Sequence, residues 1–226
     1  MFKVKEENIR VKRAGINPIY EEFKLLNKEK GDYKNFINSL YNSENKIGII
    51  IGARGTGKTA LGVKILENLY SKKKKNIYAM GFDEKEMPSW INMISDISEL
   101  ENNSFVLIDE GGVYFNSRKA MSNANELLSE LILISRHKNL TILFISQNSS
   151  NLDVNILRQS DFLLLKPSSL LQKDFERKII QKIYDSTEDK FNKYSKTKGI
   201  TYVYSNEFRG FISNSLPSFW KSSISK

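Results

Sequence analysis

Ile-Gly-Ile-Ile-Ile-Gly-Ala-Arg-Gly-Thr-Gly-Lys-Thr, running from Ile47 to Thr59, decides how the rest of the chain is read. The apolar run Ile47 to Ile51 predicts a short buried strand. It breaks into a loop with glycines at Gly52, Gly55 and Gly57, and a helical pattern starts after Lys58 and Thr59. This is G-x-x-x-x-G-K-T between a strand and a helix, the phosphate-binding loop called Walker A. Glycines let such a loop take unusual backbone angles and approach a ligand closely. Its N–H groups then form a nest for phosphate oxygens at the positive end of the following helix. The expected nucleotide contacts are Gly52, Ala53, Arg54, Gly55, Thr56, Gly57, Lys58, Thr59 and Ala60. Lys58 is placed to reach the β- and γ-phosphates, and the Thr59 hydroxyl to ligate Mg²⁺.

The second signal lies about 50 residues on, at Phe105-Val-Leu-Ile-Asp-Glu-Gly-Gly112. Four apolar residues predict a buried parallel strand. Its C-terminal end is where open α/β sheets place their ligands. Asp109 there can hold Mg²⁺, and Glu110 can orient or deprotonate an attacking water. An apolar run ending in Asp-Glu is weak by itself, because acidic residues often end strands. Behind a Walker A loop it becomes Walker B with a catalytic glutamate.

Composition sets the bounds. The 226 residues suffice for one large domain with small additions. With no cysteine, disulfides, thiolate zinc sites and cysteine nucleophiles are excluded, and the one histidine, His137, cannot build a histidine metal cluster. The net charge of +9 favours contact with nucleic acid or an anionic surface. A lysine-rich surface encoded by an AT-rich genome would give the same balance. The longest apolar runs are about five to six residues, far short of the ~20 that span a bilayer. Met1 to Arg13 is charged and lacks the apolar centre of a signal peptide, so an intracellular protein is expected.

Along the chain, Met1 to Arg13 reads as an edge strand or a basic arm. Ile19 to Lys30 reads as a helix, with Tyr20, Phe23 and Leu26 at helical spacing, and Asp32 to Tyr41 as a second. Strands are expected at Ile47 to Ile51, Asn76 to Met80, Phe105 to Asp109, Thr141 to Ser146 and Phe162 to Leu165. Helices are expected at Thr59 to Tyr70, Ser89 to Glu101, Ala124 to Arg136 and Lys173 to Tyr184. Lys72 to Lys75 closes the first of these as a solvated cap or a phosphate grip. Ile200 to Tyr204 and Gly210 to Ser213 predict a hairpin, and the tail Leu216 to Trp220 is apolar enough to dock on the body.

Three features narrow the class of phosphate-loop protein. No guanine-reading Asn/Thr-Lys-x-Asp stands in a suitable place, which disfavours a GTPase. A glutamate directly after the Walker B aspartate is a hydrolytic feature that a small-molecule kinase does not need. Gln147 closes the strand after Walker B. It is either a polar strand end or the γ-phosphate sensor of ATPases that insert a strand between the Walker A and B strands.

Ser135-Arg-His-Lys-Asn-Leu-Thr-Ile-Leu-Phe-Ile-Ser-Gln147, followed by Asn151-Leu-Asp-Val-Asn-Ile156, resembles the helix–strand–Gln segment of the FtsK–HerA superfamily of DNA-pumping ATPases. The Arg-His-Lys form and the closing Leu-Pro-Ser-Phe-Trp220 resemble the genome-packaging ATPases of double jelly-roll viruses. They also resemble the zonula-occludens-toxin-like ATPases of filamentous phages. The resemblance covers residues 46–166. It implies an α/β P-loop NTPase fold, with a central mainly parallel sheet of the additional-strand type in the order 5-1-4-3-2, flanked by helices. It assigns Lys58, Thr59 and Asp109 to phosphate and Mg²⁺, Glu110 to water activation and Gln147 to the sensor. Arg136 matches the arginine that completes a neighbouring subunit's site, with Arg118 as the runner-up for that finger or for a DNA contact. Either arginine is otherwise a surface charge.

The division expected is an N-terminal basic and helical extension over 1–45, an ATPase core over 46–190 and a C-terminal hairpin and tail over 191–226. The function implied is an ATP- and Mg²⁺-dependent translocase of double-stranded DNA. It would work as a ring, expected to be a hexamer, with capsid or vertex proteins as partners, in the host cytoplasm or with the virion. The anchor of the filamentous-phage branch is not seen. The rivals are an assembly or secretion ATPase of that branch and a small-molecule kinase.

Overall fold

The computed structural model describes residues 13, 15–42, 45–73, 75–112 and 120–225, the side chains of 120–124 apart. One nine-stranded sheet runs through it in the order β1-β9-β8-β7-β2-β6-β5-β3-β4. The parallel centre is β7 (Phe162–Leu165), β2 (Ile47–Ile51), β6 (Thr141–Ser146), β5 (Phe105–Asp109) and β3 (Ile77–Met80). Counted among the five expected strands this is 5-1-4-3-2, as the resemblance implies. β2 is buried along its whole length, which explains its unbroken apolar sequence. Alternate side chains serve two cores: Ile50 with Phe105 and Leu107 on one face, Ile49 and Ile51 with Val106 and Ile108 on the other.

α1 (Tyr33–Asn42) and α2 (Lys58–Lys73) cover the first face. α3 (Ala120–Lys138), α4 (Val154–Gln159) and α6 (Lys178–Lys193) cover the second, with α5 (Leu170–Phe175) leading into α6. Beyond β7 the sheet turns antiparallel through β8 (Ile200–Ser205), β9 (Phe208–Ser213) and β1 (Lys24–Gly31). β4 (Asn92–Met93) closes the other edge.

Three segments differ from their periodicity. Ile19 to Lys30 is not a helix: its second half is β1, paired with β9. A three-residue step puts side chains on opposite faces of an extended chain. Phe23 enters the first core and Leu26 packs on the second, a pattern that mimics helical spacing. The backbone edge of β9 decides between the two readings. Ser89 to Glu101 is not a helix either. Asn92 and Met93 pair with β3, and Asp96 and Glu99 form a capping box on a short 3₁₀ turn at Ile97–Glu99. Those side chains satisfy backbone donors that a continuous helix would have needed. The expected helix Lys173 to Tyr184 breaks at Glu176 and Arg177, whose extended backbone lets both side chains reach the loop after β6.

α2 is buried nearly all round because the segments at Ile19–Glu21 and at Ser218 cross its outer face. Lys64 Nζ lies 2.9 Å from Glu67 Oε2, with side chains 1% and 0% exposed. Glu67 also accepts the backbone N–H groups of Ile19 and Ser218, one from each of these segments. Asn68 bonds both backbone groups of Glu21 and the Tyr41 hydroxyl. A buried ion pair with this many partners is costly to break from one side, typically by about 3–5 kcal/mol. Glu67→Ala is therefore expected to lower unfolding free energy by about that amount. Lys64→Met with Glu67→Leu is expected to lose less, since no lone charge is left behind. Urea titrations of the three proteins check this, and equal losses would count against it.

Candidate nucleotide site

The loop after β2 is shaped by its glycines. Gly55 and Gly57 have φ of 78° and 86°, angles that other residues rarely adopt. A Cβ on Gly52 would stand 2.5 Å from Lys166 Cβ, so the loop's first turn depends on the missing side chain. The Ala53 N–H donates to Pro167 O at 3.0 Å, and the Thr56 hydroxyl to Ala53 O at 2.7 Å. Lys58 opens α2 and turns back into the loop, with Nζ at 2.8 Å from Gly52 O and 2.9 Å from Ala53 O. Burial lowers the Lys58 pKa, opposed by the charges of Asp109, Glu110 and Glu176.

Parallel register carries the acidic pair to the same edge. Asp109 stands opposite Ile145, and Ile51 opposite Ser146. Thr59 Oγ1 donates to Asp109 Oδ2 at 3.2 Å, and the Gly111 N–H to Asp109 Oδ1 at 3.1 Å. Burial raises the Asp109 pKa, while Thr59, Gly111 and Lys58 pull it down. A hydroxyl beside a desolvated carboxylate suits Mg²⁺, which favours one or two protein oxygens supplemented by phosphate and water. Among the described residues no group of three or more His, Cys, Asp or Glu side chains forms a metal cage. Thr59 and Asp109 are the residues that would hold the ion.

Glu110 begins a helical turn immediately after β5 and is 3% exposed. Its Oε2 accepts the Ser146 hydroxyl at 2.6 Å and the Gln147 N–H at 3.3 Å. Gln147 itself lies just past β6, exposed at the same edge. Lys58, Thr59, Asp109, Glu110 and Gln147 are thus brought together by β2, β5 and β6.

Arg136 is not brought to them. It is exposed in the last turn of α3, at the edge where β5 and β6 begin. There the Asn103 N–H donates to Lys138 O, and Lys138 Nζ bonds Leu100 O. The full length of β6 separates Arg136 from its own phosphate loop. Arg54 is exposed on that loop. Arg118 lies outside the described residues, as do Lys119, Lys74 and the N-terminal stretch 1–12. Of the candidate phosphate grips, Lys72 stacks on Tyr20 at 4.0 Å from the ring centroid.

Sequence reading missed the supports of this edge. The Gln172 amide donates to Gln147 O. Glu176 is buried and accepts the Ser149 N–H at 2.7 Å, while Arg177 donates to Ser149 O and Leu152 O. Together they clamp the turn that carries Gln147. Lys166, fully buried after β7, points Nζ at Gly199 O and Ile200 O, both at 3.1 Å, and at Asn214 Oδ1 at 3.3 Å. Its backbone N–H bonds Ile51 O, so it joins the loop strand to β8. No spacing rule marks these residues, because their partners lie far along the chain.

The profile of the ATPase family associated with various cellular activities (AAA) matches residues 49–167. No curated protein sequence matches the chain. In structure the chain is similar to the DNA-packaging ATPase of Sulfolobus turreted icosahedral virus. That similarity has a TM-score of 0.50 at 14% identity, over 77% of this chain and 99% of the other. It is also similar to the genome packaging NTPase of Sulfolobus turreted icosahedral virus 2. With AMPPCP bound, that protein gives a TM-score of 0.52 at 13% identity, over 76% of this chain and 99% of the other. With ATP-gammaS bound, it gives 0.51 at 15%, over 76% and 97%. At these identities the likeness is one of fold.

Burial pushes the Lys166 pKa down to about 7 from 10.5. Below that lower value both the folded and the unfolded chain hold the proton. Between the two values the unfolded chain keeps a proton that the folded chain has released, so stability rises with pH across this window. Lys166→Met is expected to lose that rise. The difference in unfolding free energy between the wild type and the variant, followed by urea titration through the window, should grow with pH. A constant difference would overturn the assignment.

Proposed function

The chain belongs to the ATPase family associated with various cellular activities (AAA) and is an ATPase, and from that premise we propose that it translocates double-stranded DNA as the genome-packaging motor of a virus. One observation carries the chemistry. Glu110, buried and held by Ser146 and Gln147, shares a sheet edge with Lys58, Thr59 and Asp109. The destination of that chemistry is supported by the likeness of fold to two viral packaging ATPases along nearly their whole lengths. The net charge of +9 suits a partner made of phosphates.

Lys58 neutralises the charge of the β- and γ-phosphates from within the loop. Mg²⁺, when bound, supplies further positive charge at the phosphate oxygens beside Thr59 and Asp109. Glu110 takes the proton of the attacking water as its oxygen bonds to the γ-phosphorus and the bond to the β-phosphate oxygen breaks, leaving ADP and phosphate. Gln147 reads the γ-phosphate and relays its presence through the turn that Gln172 and Glu176 clamp. Since Arg136 stands at the far edge of its own subunit, its action is on a neighbour's nucleotide. That requires a ring, which we take to be a hexamer of FtsK–HerA type.

Glu110→Gln is expected to retain ATP binding and lose turnover by about 10²–10⁴-fold, the usual worth of a positioned general base. Turnover at wild-type level in this variant would remove Glu110 from that role. Double-stranded DNA is expected to raise ATP turnover, and added salt to weaken the effect, because phosphate contacts release counterions. Turnover indifferent to DNA at low salt would refute the translocase reading and favour the assembly or secretion ATPase. Arg136→Ala is expected to leave ATP affinity unchanged while turnover falls by about 10³-fold or more. Light scattering with and without ATP gives the mass that a ring demands.

A further inference from the structure

α5 is amphipathic the wrong way round. Leu170, Leu171 and Phe175 are each at least 70% exposed, while Gln172 and Glu176, four apart, face inward. Turning the apolar side in would remove it from water. The polar side is held in instead by its bonds. Glu176 Oε2 accepts the Ser149 N–H at 2.7 Å, and Glu176 Oε1 the Gln172 amide at 3.0 Å. That amide also donates to Gln147 O, and the Gln147 N–H donates to Glu110 Oε2. One hydrogen-bonded chain thus runs from the buried carboxylate of Glu176, through Gln172 and the backbone of Gln147, to the buried carboxylate of Glu110.

We propose that Glu176 is a positioning residue for ATP hydrolysis, setting where Glu110 and Gln147 stand against the γ-phosphate, with Gln172 as its link. The proposal rests on the ATP-site reading above and deepens it. Gln147 lies just past β6, where the parallel ladder with β2 and β5 has ended. Its peptide groups are held on one side by Glu110 and on the other by Gln172. Those two bonds orient the backbone from which its side chain leaves the strand.

Two residues on, Ser149 is fully buried and engaged at each polar group. Its N–H is taken by Glu176, its hydroxyl oxygen by the Arg177 N–H at 2.9 Å, and its carbonyl by the Arg177 side chain at 3.0 Å. The turn after Gln147 is thereby fastened to the break between α5 and α6. Glu176 also acts through space. Its charge, with those of Asp109 and Glu110, holds up the Lys58 pKa against burial, so it lies within electrostatic reach of the phosphate loop. Precision of this kind matters to rate, since misplacing a reacting group by about 1 Å can cost about 10²-fold.

Steady-state ATP turnover by the full chain provides the test. Glu176→Gln keeps the shape but sets an amide donor against either the Ser149 N–H or the Gln172 amide, so one of the two bonds is lost. Its kcat is expected to fall by about 10–100-fold, with KM within about twofold of wild type. Gln172→Leu, at a half-buried position, removes the donor to Gln147 O. It is expected to lower kcat in the same way, and it carries the test even where Glu176→Gln fails to fold. In a Gln147→Ala background, Glu176→Gln is expected to cost less than about twofold more, because residues acting as one unit are not additive. Lys173→Ala frees α5 from Asp185 and Glu188 of α6 and is expected to keep kcat within about twofold, as exposed ion pairs contribute little. Wild-type kcat in Glu176→Gln or Gln172→Leu, an equal fall in Lys173→Ala, or full additivity with Gln147→Ala would overturn the positioning role. A wild-type chain without ATP turnover would instead refute the ATP site and this role with it.

Discussion

The parallel register of β2 with its neighbours is the constraint on which the rest depends. Ile51 lies opposite Ser146 and Leu165, and Asp109 lies opposite Ile145, level with Ile50 and one residue short of that row. Because these strands end level, a phosphate loop, two carboxylates and a polar strand end emerge within reach of one another. A slip of one residue in any pair would turn its side chains to the opposite face and dismantle the site. The register is held by burial, since each central strand feeds two apolar cores at once.

Burial at that edge also shapes the electrostatics. Lys58 and Asp109 are both desolvated, which disfavours the charged form of each and makes each receptive to an opposite charge. A phosphate would answer the first and a divalent cation the second. Glu110 is deeper still, and its hydrogen bonds from Ser146 and from the Gln147 N–H satisfy a carboxylate that the interior would otherwise exclude. The same two bonds connect the glutamate directly to the end of β6, so a displacement of Gln147 is felt at Glu110.

The segment after β7 works as the frame of the site. Pro167 and Lys166 bond the phosphate-loop strand, while Gln172, Glu176 and Arg177 bond the turn after β6. The break between α5 and α6 is what frees Glu176 and Arg177 for this task. Lys166 then ties the frame to β8 through three oxygen acceptors. The segments at Ile19 and at Ser218 meet over α2, where Glu67 bonds both of them.

Much of this was legible from local pattern. The phosphate loop, the buried strands and the Asp109-Glu110 pair are written in contiguous residues, and so the fold class could be expected from them, while the five-strand order was implied by the resemblance to the FtsK–HerA superfamily. Amphipathic spacing failed where two structures share it. Tyr20, Phe23 and Leu26 fit a helix or an extended chain, and only the open edge of β9 chose the second. Ser89 to Glu101 and Lys173 to Tyr184 failed for a related reason, since side-chain bonds to distant or capping partners outweighed helical continuity. The resemblance implied a role for Arg136 in a neighbouring subunit's site, and only the fold could show that the residue stands at the far edge from its own loop. Ser146, Lys166, Gln172, Glu176 and Arg177 had no signal at all. Contiguous chemistry is a property of the sequence by itself, whereas contacts between residues tens of positions apart exist only once the sheet has set their distance.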